Sequence, residues 1–409
     1  MNWLPTRDAA LARLEDFLPW AGRDYAATRN FDRGPERRST VSGLSPYLRH
    51  RVLTEREVLS RVLSRHSPVT AAKFIEEVFW RTYWKGWLEH RPSVWKRYQT
   101  ELLSAIEALS RDDDIALRYA AATAGETGLD LFDQWSRELV TTGYLHNHTR
   151  MWFASIWIFT LKLPWTLGAD FFLRHLLDGD PASNTLSWRW VAGLQTQGKI
   201  YLARPDNIAR HYQVPFAMPE GLTTEADPLS EAPLPPAQPP TLPASVTALG
   251  RVGLLLTEED LSLDSLPDAI AVKGMALPRR LSPLPISRAV VDFTSGVVED
   301  AVRRAAGRFN LDRSDIAHGD DAGREIVRWA RRLDLDAVVT AYAPVSPTAS
   351  ALVALEGALN DEGISLLRRC TDYDRCCWPD TTRGYFQLKK RIPALLETLA
   401  IRRPEQQAS

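Results

Sequence analysis

The 409-residue sequence is poor in cysteine, and its three cysteines, Cys370, Cys376 and Cys377, lie near the C-terminus. Three thiols are too few for a disulfide framework or a four-thiolate metal cluster, and such sparing use fits a reducing cytosol. No run of eighteen apolar residues occurs, so no membrane span is expected. The first residues lack the basic start and apolar core of a signal peptide. We therefore predict a cytoplasmic, monomeric protein without a metal site.

An excess of charge of one sign is also lacking, because 50 lysines and arginines face 51 aspartates and glutamates. The charges are unevenly distributed, since residues 1–100 hold 18 basic against 11 acidic residues. A basic face is compatible with a polyanionic partner. A solvated face of arginine-rich helices is at least as common, so the surplus alone decides nothing.

Prolines mark a boundary within the chain. Nine of them fall between residues 215 and 244, which is typical of a semi-rigid, extended linker without a core of its own. Tryptophan usage changes across this segment, since twelve of the fourteen tryptophans lie at or before Trp190. We predict a first domain at residues 1–214, a linker at 215–245 and a second domain at 246–403.

The first domain is predicted to be all-helical. Apolar residues recur every three or four positions in most of its segments, and no convincing alternating strand occurs before the linker. The segment MWFASIWIFTLKL, residues 151–163, is apolar on nearly all sides. This pattern predicts a helix buried inside a large bundle.

The second domain alternates between two kinds of segment. Short apolar runs at 251–256, 269–274, 288–293, 336–342 and 364–370 predict strands, with helices predicted at 298–309, 322–333 and 349–363. This rhythm predicts an α/β domain with a mostly parallel sheet. The domain contains no Gly-x-Gly-x-x-Gly and no Walker-type loop, so no nucleotide site is predicted there.

The most unusual stretch is LLDGDPASNTLSWRW, residues 176–190. Asp178 and Asp180 are followed by Asn184 and then by a Trp-x-Trp pair. Arg150, upstream, is the natural counter-ion for either aspartate, because an unpaired buried carboxylate is costly. Acids, an amide and indoles at this spacing suit a pocket for a polar, redox-active aromatic cofactor.

Two further segments carry polar groups. Residues 40–45 place hydroxyls and free amides before a proline-initiated helix, which suits an anion, although an N-cap with nothing bound is favoured on local sequence alone. Helical spacing puts Glu77, Trp80, Arg81 and Trp84 on one face. That face suits a ligand, and an amphipathic helix with an ion pair at its rim is a serious alternative.

Together these segments resemble the FAD-binding domain of the photolyase/cryptochrome family over roughly residues 8–205. Members of the family normally begin with an α/β domain, whereas here an α/β domain follows the linker. The motifs that carry the resemblance, in the family's order, are Tyr25 with Arg29, SGLSPYL at 42–48, EVFWR at 77–81, GETG at 125–128, TGYLHNHTRM at 142–151, and DGDPASN at 178–184 followed by WRW at 188–190.

The resemblance implies FAD as the cofactor and leaves any antenna chromophore unassigned. It implies that Arg150 pairs with Asp178 and that Asn184 lies opposite flavin N5. Val41 stands where the family usually has threonine, and the neighbouring Thr40 is a substitute hydroxyl. The residues that it places around FAD are Tyr25, Thr40, Ser42, Gly43, Leu44, Ser45, Arg81, Asn147, Arg150, Asp178, Asp180 and Asn184.

The implied activity is the light-driven reversal of cyclobutane pyrimidine dimers in DNA, by electron transfer from photoexcited reduced FAD. Such an enzyme is a carbon–carbon lyase. Alternatives are a cryptochrome-like photoreceptor without repair activity and a flavin-binding scaffold without photochemistry. The residues implied in catalysis are Trp188, Trp165, Asn184 and Glu77, and those implied in contact with the lesion are Glu77, Trp80, Asn147, Met151 and Trp190.

Trp188 and Trp165 match the first two members of the family's electron-relay tryptophans. No tryptophan occupies the position of the usual third member. Trp135 and Trp157 are the two candidates for that role.

Overall fold

The computed structural model describes residues 3–37, 41–217, 220–244, 250–263, 266–311, 314–319 and 321–401. Before the linker, the regular elements of the described residues are helices, with one isolated bridge between Asp32 and Tyr212. None of the described helices combines the length and apolarity needed to cross a membrane. These helices are α1 (Arg7–Phe17), α2 (Arg23–Thr28), α3 (Ser45–Arg49), α4 (Glu55–Arg65), α5 (Ala72–Glu89), α6 (Pro92–Leu109), α7 (Asp113–Ala124), α8 (Asp130–Thr142), α9 (Asn147–Ser155), α10 (Trp165–His175), α11 (Pro181–Val191) and α12 (Pro205–His211).

The predicted buried helix lies at the centre of this helical part. Helix α9 continues directly into a five-residue π-helix, Ile156–Thr160, and residues 152–159 are all buried. A π-helix is a rare local widening of the helical turn, often found at functional sites. The prediction of a helix surrounded by other helices is confirmed, whereas the local change of helical type was not predicted.

The C-terminal half contains a five-stranded parallel sheet, as predicted. Its strand order is β3-β2-β1-β4-β5, so the direction of winding reverses between β1 and β4. Helices separate most successive strands, which parallel pairing requires. The elements are β1 (Val252–Thr257), β2 (Ala271–Ala276), α13 (Arg288–Phe309), β3 (Ser314–His318), α14 (Ala322–Arg332), β4 (Ala337–Ala341), α15 (Pro347–Asn360), β5 (Ser365–Arg369), α16 (Asp372–Cys377) and α17 (Tyr385–Thr398).

One predicted strand is wrong and one observed strand was missed. Residues 288–293 form the first turns of α13, where Ser287 caps the helix and Val290, Phe293 and Val297 share its buried face. The spacing of three and four outweighs the β-preference of the valines. Strand β3 lies at the edge of the sheet, and its sequence SDIAH lacks the apolar run that marks a buried strand.

The described residues of the proline-rich segment form no helix or strand, and they are bound along the helical part. Glu231 forms ion pairs with Arg189 and Arg97. Farther on, the Gln238 amide donates to the His90 carbonyl at 2.9 Å. The segment therefore has anchoring contacts that its composition does not reveal. The domain limits at residues 214 and 245 stay a prediction.

The last two helices pack against α5 of the helical part. The Thr82 and Tyr373 hydroxyls lie 2.9 Å apart, and the Tyr385 hydroxyl donates to the Glu76 carbonyl at 2.7 Å. The chain thus returns to the helical part after completing the sheet. This return brings residues more than 290 positions apart into contact.

A buried network of charges joins the two halves of the chain. Arg49 donates to both carboxylate oxygens of Glu259, at 2.8 and 2.9 Å. Arg51 donates to Asp374 at 2.6 and 2.7 Å and to Asp260 at 3.0 Å. All five residues are almost completely buried. Removing one partner of such a pair is strongly destabilising because the other charge remains buried.

Glu258 sits at the same interface, directly after β1. Its carboxylate accepts from the Leu277 amide at 3.0 Å and from the Thr348 hydroxyl at 2.8 Å. Burial, and then the adjacent charge of Glu259, raises the pKa of Glu258 to about 7. The folded protein therefore holds a proton on this carboxyl that the unfolded chain releases in mildly acidic solution.

We expect Glu258 to make the free energy of unfolding fall as the pH rises from about 4.5 to about 7. The native state binds the extra proton in this window, so its loss costs up to about 3 kcal/mol. The measurement is urea unfolding of the wild type and of Glu258→Gln across pH 4.5–8. The wild type should lose more stability than the variant over this range. A control is Glu356→Gln on α15, and parallel curves for the wild type and Glu258→Gln contradict the assignment.

Candidate functional site

Asp180 lies at the start of α11 and is almost fully buried. One carboxylate oxygen accepts from the Ser183 amide at 2.8 Å and caps the helix. The other lies 3.3 Å from Lys85 Nζ and 3.4 Å from Arg81 Nη2. Burial raises the pKa of Asp180, but the surrounding cations, Lys85 foremost, outweigh it and hold that pKa well below its ordinary value. Asp180 is therefore a fixed, ionised carboxylate.

Asp178 forms the ion pair that the sequence predicts. Arg150 donates to its two carboxylate oxygens at 3.0 and 2.8 Å, a bidentate geometry. Arg150 also donates from Nε to the Leu145 carbonyl at 2.9 Å, and its guanidinium lies 5.1 Å from the centre of the Tyr144 ring. These contacts fix the orientation of the guanidinium.

Asn184 follows on the first turns of α11 and is oriented by a single hydrogen bond. Its Nδ2 donates to the Ala169 carbonyl at 2.8 Å, so its Oδ1 is the atom left to accept from a ligand. Nearby, Arg81 Nε and Ser183 Oγ are buried without a hydrogen-bond partner among the described residues. Buried polar atoms of this kind usually have a partner. A ligand with polar edges fits this set of groups.

The segment predicted to bind the diphosphate is only partly described, because Thr40 lies outside the described residues. Gly43 adopts a left-handed backbone with φ +59°, and the Leu44 amide donates to Ser42 Oγ at 3.3 Å. Helix α3 begins at Ser45, where the sequence places it. The helix is only five residues long, so its contribution to anion binding is small.

Tyr25, Arg29 and Glu77 form a second group, in which Glu77 lies one helical turn before Arg81 on α5. Glu77 pairs with Arg29. Tyr25 is buried, and its burial followed by the charge of Glu77 raises the pKa of its hydroxyl. Glu77 and Arg81, which are predicted to share one face of α5, thus have different partners. Glu77 pairs with Arg29, and Arg81 lies near Asp180.

The residues implied in contact with the lesion differ in exposure. Asn147 is exposed at the start of α9, and Met151 is half-buried one turn later. Trp190 is half-buried against a tyrosine ring 5.6 Å away. Trp80 is also half-buried, and Tyr385 of α17 stacks on it with ring centres 3.7 Å apart and planes 12° apart. An element from the C-terminal half thus covers part of this surface.

The tryptophans considered for the electron relay lie in three separate sets of ring contacts among the described residues. Trp188 is buried, and its ring meets Trp157 edge to face, with centres 6.2 Å apart. Trp165 contacts Tyr98 at 5.7 Å instead. Trp135 packs in a different cluster, 5.8 Å from Trp152. Of the two candidates for an additional relay member, Trp157 is the one in contact with Trp188.

Sequence reasoning missed several residues of this region. Lys85 had a detectable signal, because it lies one helical turn after Arg81 on α5. Glu259 and Tyr385 had none, since each reaches the site from the C-terminal half. Glu259 touches it through Lys85, with Nζ and the carboxylate 3.7 Å apart.

Comparisons with known proteins find relatives of the helical part of the chain. Residues 74–214 match the family model for the FAD binding domain of DNA photolyase. A deoxyribodipyrimidine photo-lyase of Agrobacterium fabrum is 34% identical over 194 residues, covering 47% of this chain and 39% of that protein. One from Thermus thermophilus is 35% identical over 197 residues, covering 48% and 45%. The helical part of the chain is therefore similar to the FAD-binding domain of DNA photolyases.

Two solved structures are also similar. A bacterial class III photolyase from Agrobacterium tumefaciens is 31% identical, with a TM-score of 0.41 over 50% of this chain and 42% of that one. A Synechocystis cryptochrome is 27% identical, with a TM-score of 0.41 over 50% and 43%. The chain spans about two fifths of the length of the curated relatives it matches.

We expect Asp178→Asn to weaken FAD binding by roughly tenfold, because Arg150 loses a charge-assisted partner worth about 1.5 kcal/mol. The measurement is titration of flavin-free protein with FAD, followed by fluorescence. The matched control is Asp170→Asn, which disrupts another buried pair, with Arg174 at 2.8 Å. Equal losses in both variants indicate general destabilisation and contradict a specific role for Asp178.

Proposed function

We propose that this protein binds FAD and uses light to reverse cyclobutane pyrimidine dimers in DNA. The observation that carries the proposal is the polar cluster inside the photolyase-type FAD-binding domain. It combines the Arg150–Asp178 pair, the ionised Asp180 and an asparagine, Asn184, whose carbonyl oxygen is available to a ligand. The reaction involves no net oxidation or reduction, because the electron passed to the dimer returns after the two carbon–carbon bonds of the cyclobutane ring have split.

The residues present fit a flavin. Arg150 and Arg81 are donors for its polar edges, Asp178 and Asp180 are acceptors, and Asn184 Oδ1 is an acceptor in the same cluster. When bound in its reduced form, FAD supplies the electron on illumination. The protein's part is to hold these groups rigidly and to keep the site dry, which strengthens every electrostatic contact within it.

Glu77 is the residue that we assign to hydrogen bonding with the lesion. Its pairing with Arg29 limits the rotation of the carboxylate. A flipped-out dimer is the natural occupant of a recessed site, since a damaged and poorly stacked base is the cheapest to extrude. The basic surplus of residues 1–100 supports a phosphate-binding surface around such a site.

The repair assay tests this function directly. Reduced protein with FAD bound is illuminated with thymine-dimer oligonucleotides, single-stranded and duplex, and loss of dimers is expected. Glu77→Gln should bind the dimer about tenfold more weakly, because a hydrogen bond to a charged group is worth about 1.5 kcal/mol or more. Glu107→Gln, at an exposed position of α6, is the control. A flavin-loaded protein that leaves all dimers intact contradicts the repair function.

A cryptochrome-like photoreceptor without repair activity is the second candidate. The stacking of Tyr385 on Trp80 favours it, because this contact covers a ring implied in binding the lesion. The same repair assay separates the two functions. Light-driven flavin reduction without dimer loss supports the photoreceptor.

We also propose an electron relay that runs from Trp188 through Trp157. The edge-to-face contact of these rings supports it, and Tyr119 continues the path, with its ring centre 6.0 Å from Trp157. Tyr119 is half-buried, and Arg174 Nη2 donates a hydrogen bond to its hydroxyl at 2.9 Å. Trp165 retains the role implied by the family resemblance as a competing branch.

We expect Trp157→Phe to slow light-driven flavin reduction more than Trp165→Phe does. Phenylalanine keeps the packing but is much harder to oxidise than tryptophan. The measurement is flavin absorbance under blue light with an external thiol reductant. Trp152→Phe, a buried tryptophan without a ring contact to Trp188 among those described, is the control. A larger effect of Trp165→Phe assigns the relay to that residue instead.

A further inference from the structure

Helix α17 carries an exposed aromatic residue at its start. Tyr385, Leu388 and Ile392 form the buried face of this helix. Phe386 points the other way and is 72% exposed, the most exposed aromatic side chain among the described residues. The helix lies outside residues 74–214, which match the family model. Its role is therefore not given by that match.

Phe386 lies next to the surface implied in lesion binding. Its ring centre is 6.4 Å from Tyr385, which stacks on Trp80. Trp80 has further ring contacts with Tyr83 at 5.5 Å and Trp84 at 5.3 Å. These rings cover part of Trp80, whereas the ring of Phe386 is exposed. Of the two side chains, Phe386 is therefore the more accessible to a partner.

Basic residues lie on both sides of Phe386 along the chain. Lys390 follows it by four positions on α17, Arg383 lies just before the helix, and both are exposed. Neither forms an ion pair within the described part of the chain. The nearby acids are neutralised: Glu76 lies 3.0 Å from Lys389 and 3.3 Å from Lys73. Similarly, Arg391 lies 3.3 Å from Asp380.

We infer that Phe386, Arg383 and Lys390 form a binding surface for single-stranded DNA, on which Phe386 stacks with an unpaired base. An exposed aromatic ring flanked by unpaired cations is the combination by which proteins bind single strands, since every base has a face to stack. The inference rests on the proposed DNA-repair function. It extends that function by naming the contact to the strand that flanks the lesion.

The experiment uses the full-length, FAD-loaded protein and a fluorescein-labelled oligothymidine, with and without one thymine dimer. Phe386→Ala should weaken binding of both strands by roughly tenfold, within the range of base stacking on an aromatic side chain. Phe386→Trp should retain wild-type affinity. Leu117→Ala, at a residue of α7 that is 71% exposed, is the matched control and should also bind normally.

A second variant separates charge from stacking. Lys390→Gln should reduce the slope of log affinity against log salt by about 0.7, the value for one phosphate contact on a single strand. Phe386→Ala should leave that slope unchanged. Flavin absorbance is recorded for every variant, so that loss of the cofactor is detected separately.

Measurements of strand binding and of dimer repair separate failure of the Phe386 surface from failure of the proposed repair function. Strand binding that depends on Phe386 without any dimer repair supports the surface and overturns the repair function. Repair with an unchanged affinity of Phe386→Ala overturns the surface alone. A wild-type protein that binds neither strand overturns both.

Discussion

The feature on which the rest of the structure depends is the burial of Arg49 and Lys85 between two carboxylates from different halves of the chain. Arg49 Nε lies 4.0 Å from Asp180, and its terminal nitrogens bind Glu259. Lys85 lies 3.3 Å from Asp180 and 3.7 Å from Glu259. Buried cations need partners on every side, because their desolvation costs several kcal/mol each. The α/β half supplies the carboxylate of Glu259, which is the second partner of both cations.

Arg51 shows how firmly this arrangement is held. Its backbone lies in the left-handed region at φ +48°, which costs a residue with a side chain about 1–2 kcal/mol. Its guanidinium meets Glu55, Asp260 and Asp374, two of them from beyond the linker. Those contacts outweigh the backbone cost, because each carboxylate would otherwise be buried without its cation. The segment after α3 is therefore shaped by residues about 210 and 320 positions away.

The same contacts occupy the edge of the sheet where open α/β folds usually bind ligands, outside the carboxyl ends of β1 and β4. His50 lies 2.6 Å from the Glu258 carbonyl after β1. Glu89 of α5 accepts from the Tyr342 hydroxyl and the Val345 amide after β4, both at 2.6 Å. In this protein, the switch point of the sheet serves as a docking surface for the helical part.

The parts of the structure that could be predicted from sequence are those with local causes. Helical periodicity predicted that the first half is helical, and short spacing along the chain allowed the pairing of Arg150 with Asp178 to be predicted. Residues 288–293 were misassigned because a short apolar run does not by itself distinguish a strand from a helix. Glu259 and Tyr385 could not be placed, because their partners lie more than 160 positions away along the chain. Nothing in either local sequence identifies those partners.

The contacts that Glu259 makes from the α/β half also affect the proposed cofactor site. The family match covers Asp178, Asp180 and Asn184 of the proposed flavin site, but the cations beside Asp180 are neutralised on their far side by Glu259. Without that carboxylate, Arg49 and Lys85 would share Asp180 alone and draw it toward them, away from a ligand. The α/β half therefore belongs electrostatically to the proposed cofactor site, although it contributes no predicted contact to FAD. The position of the α/β half after the linker does not alter this dependence, since it acts through space.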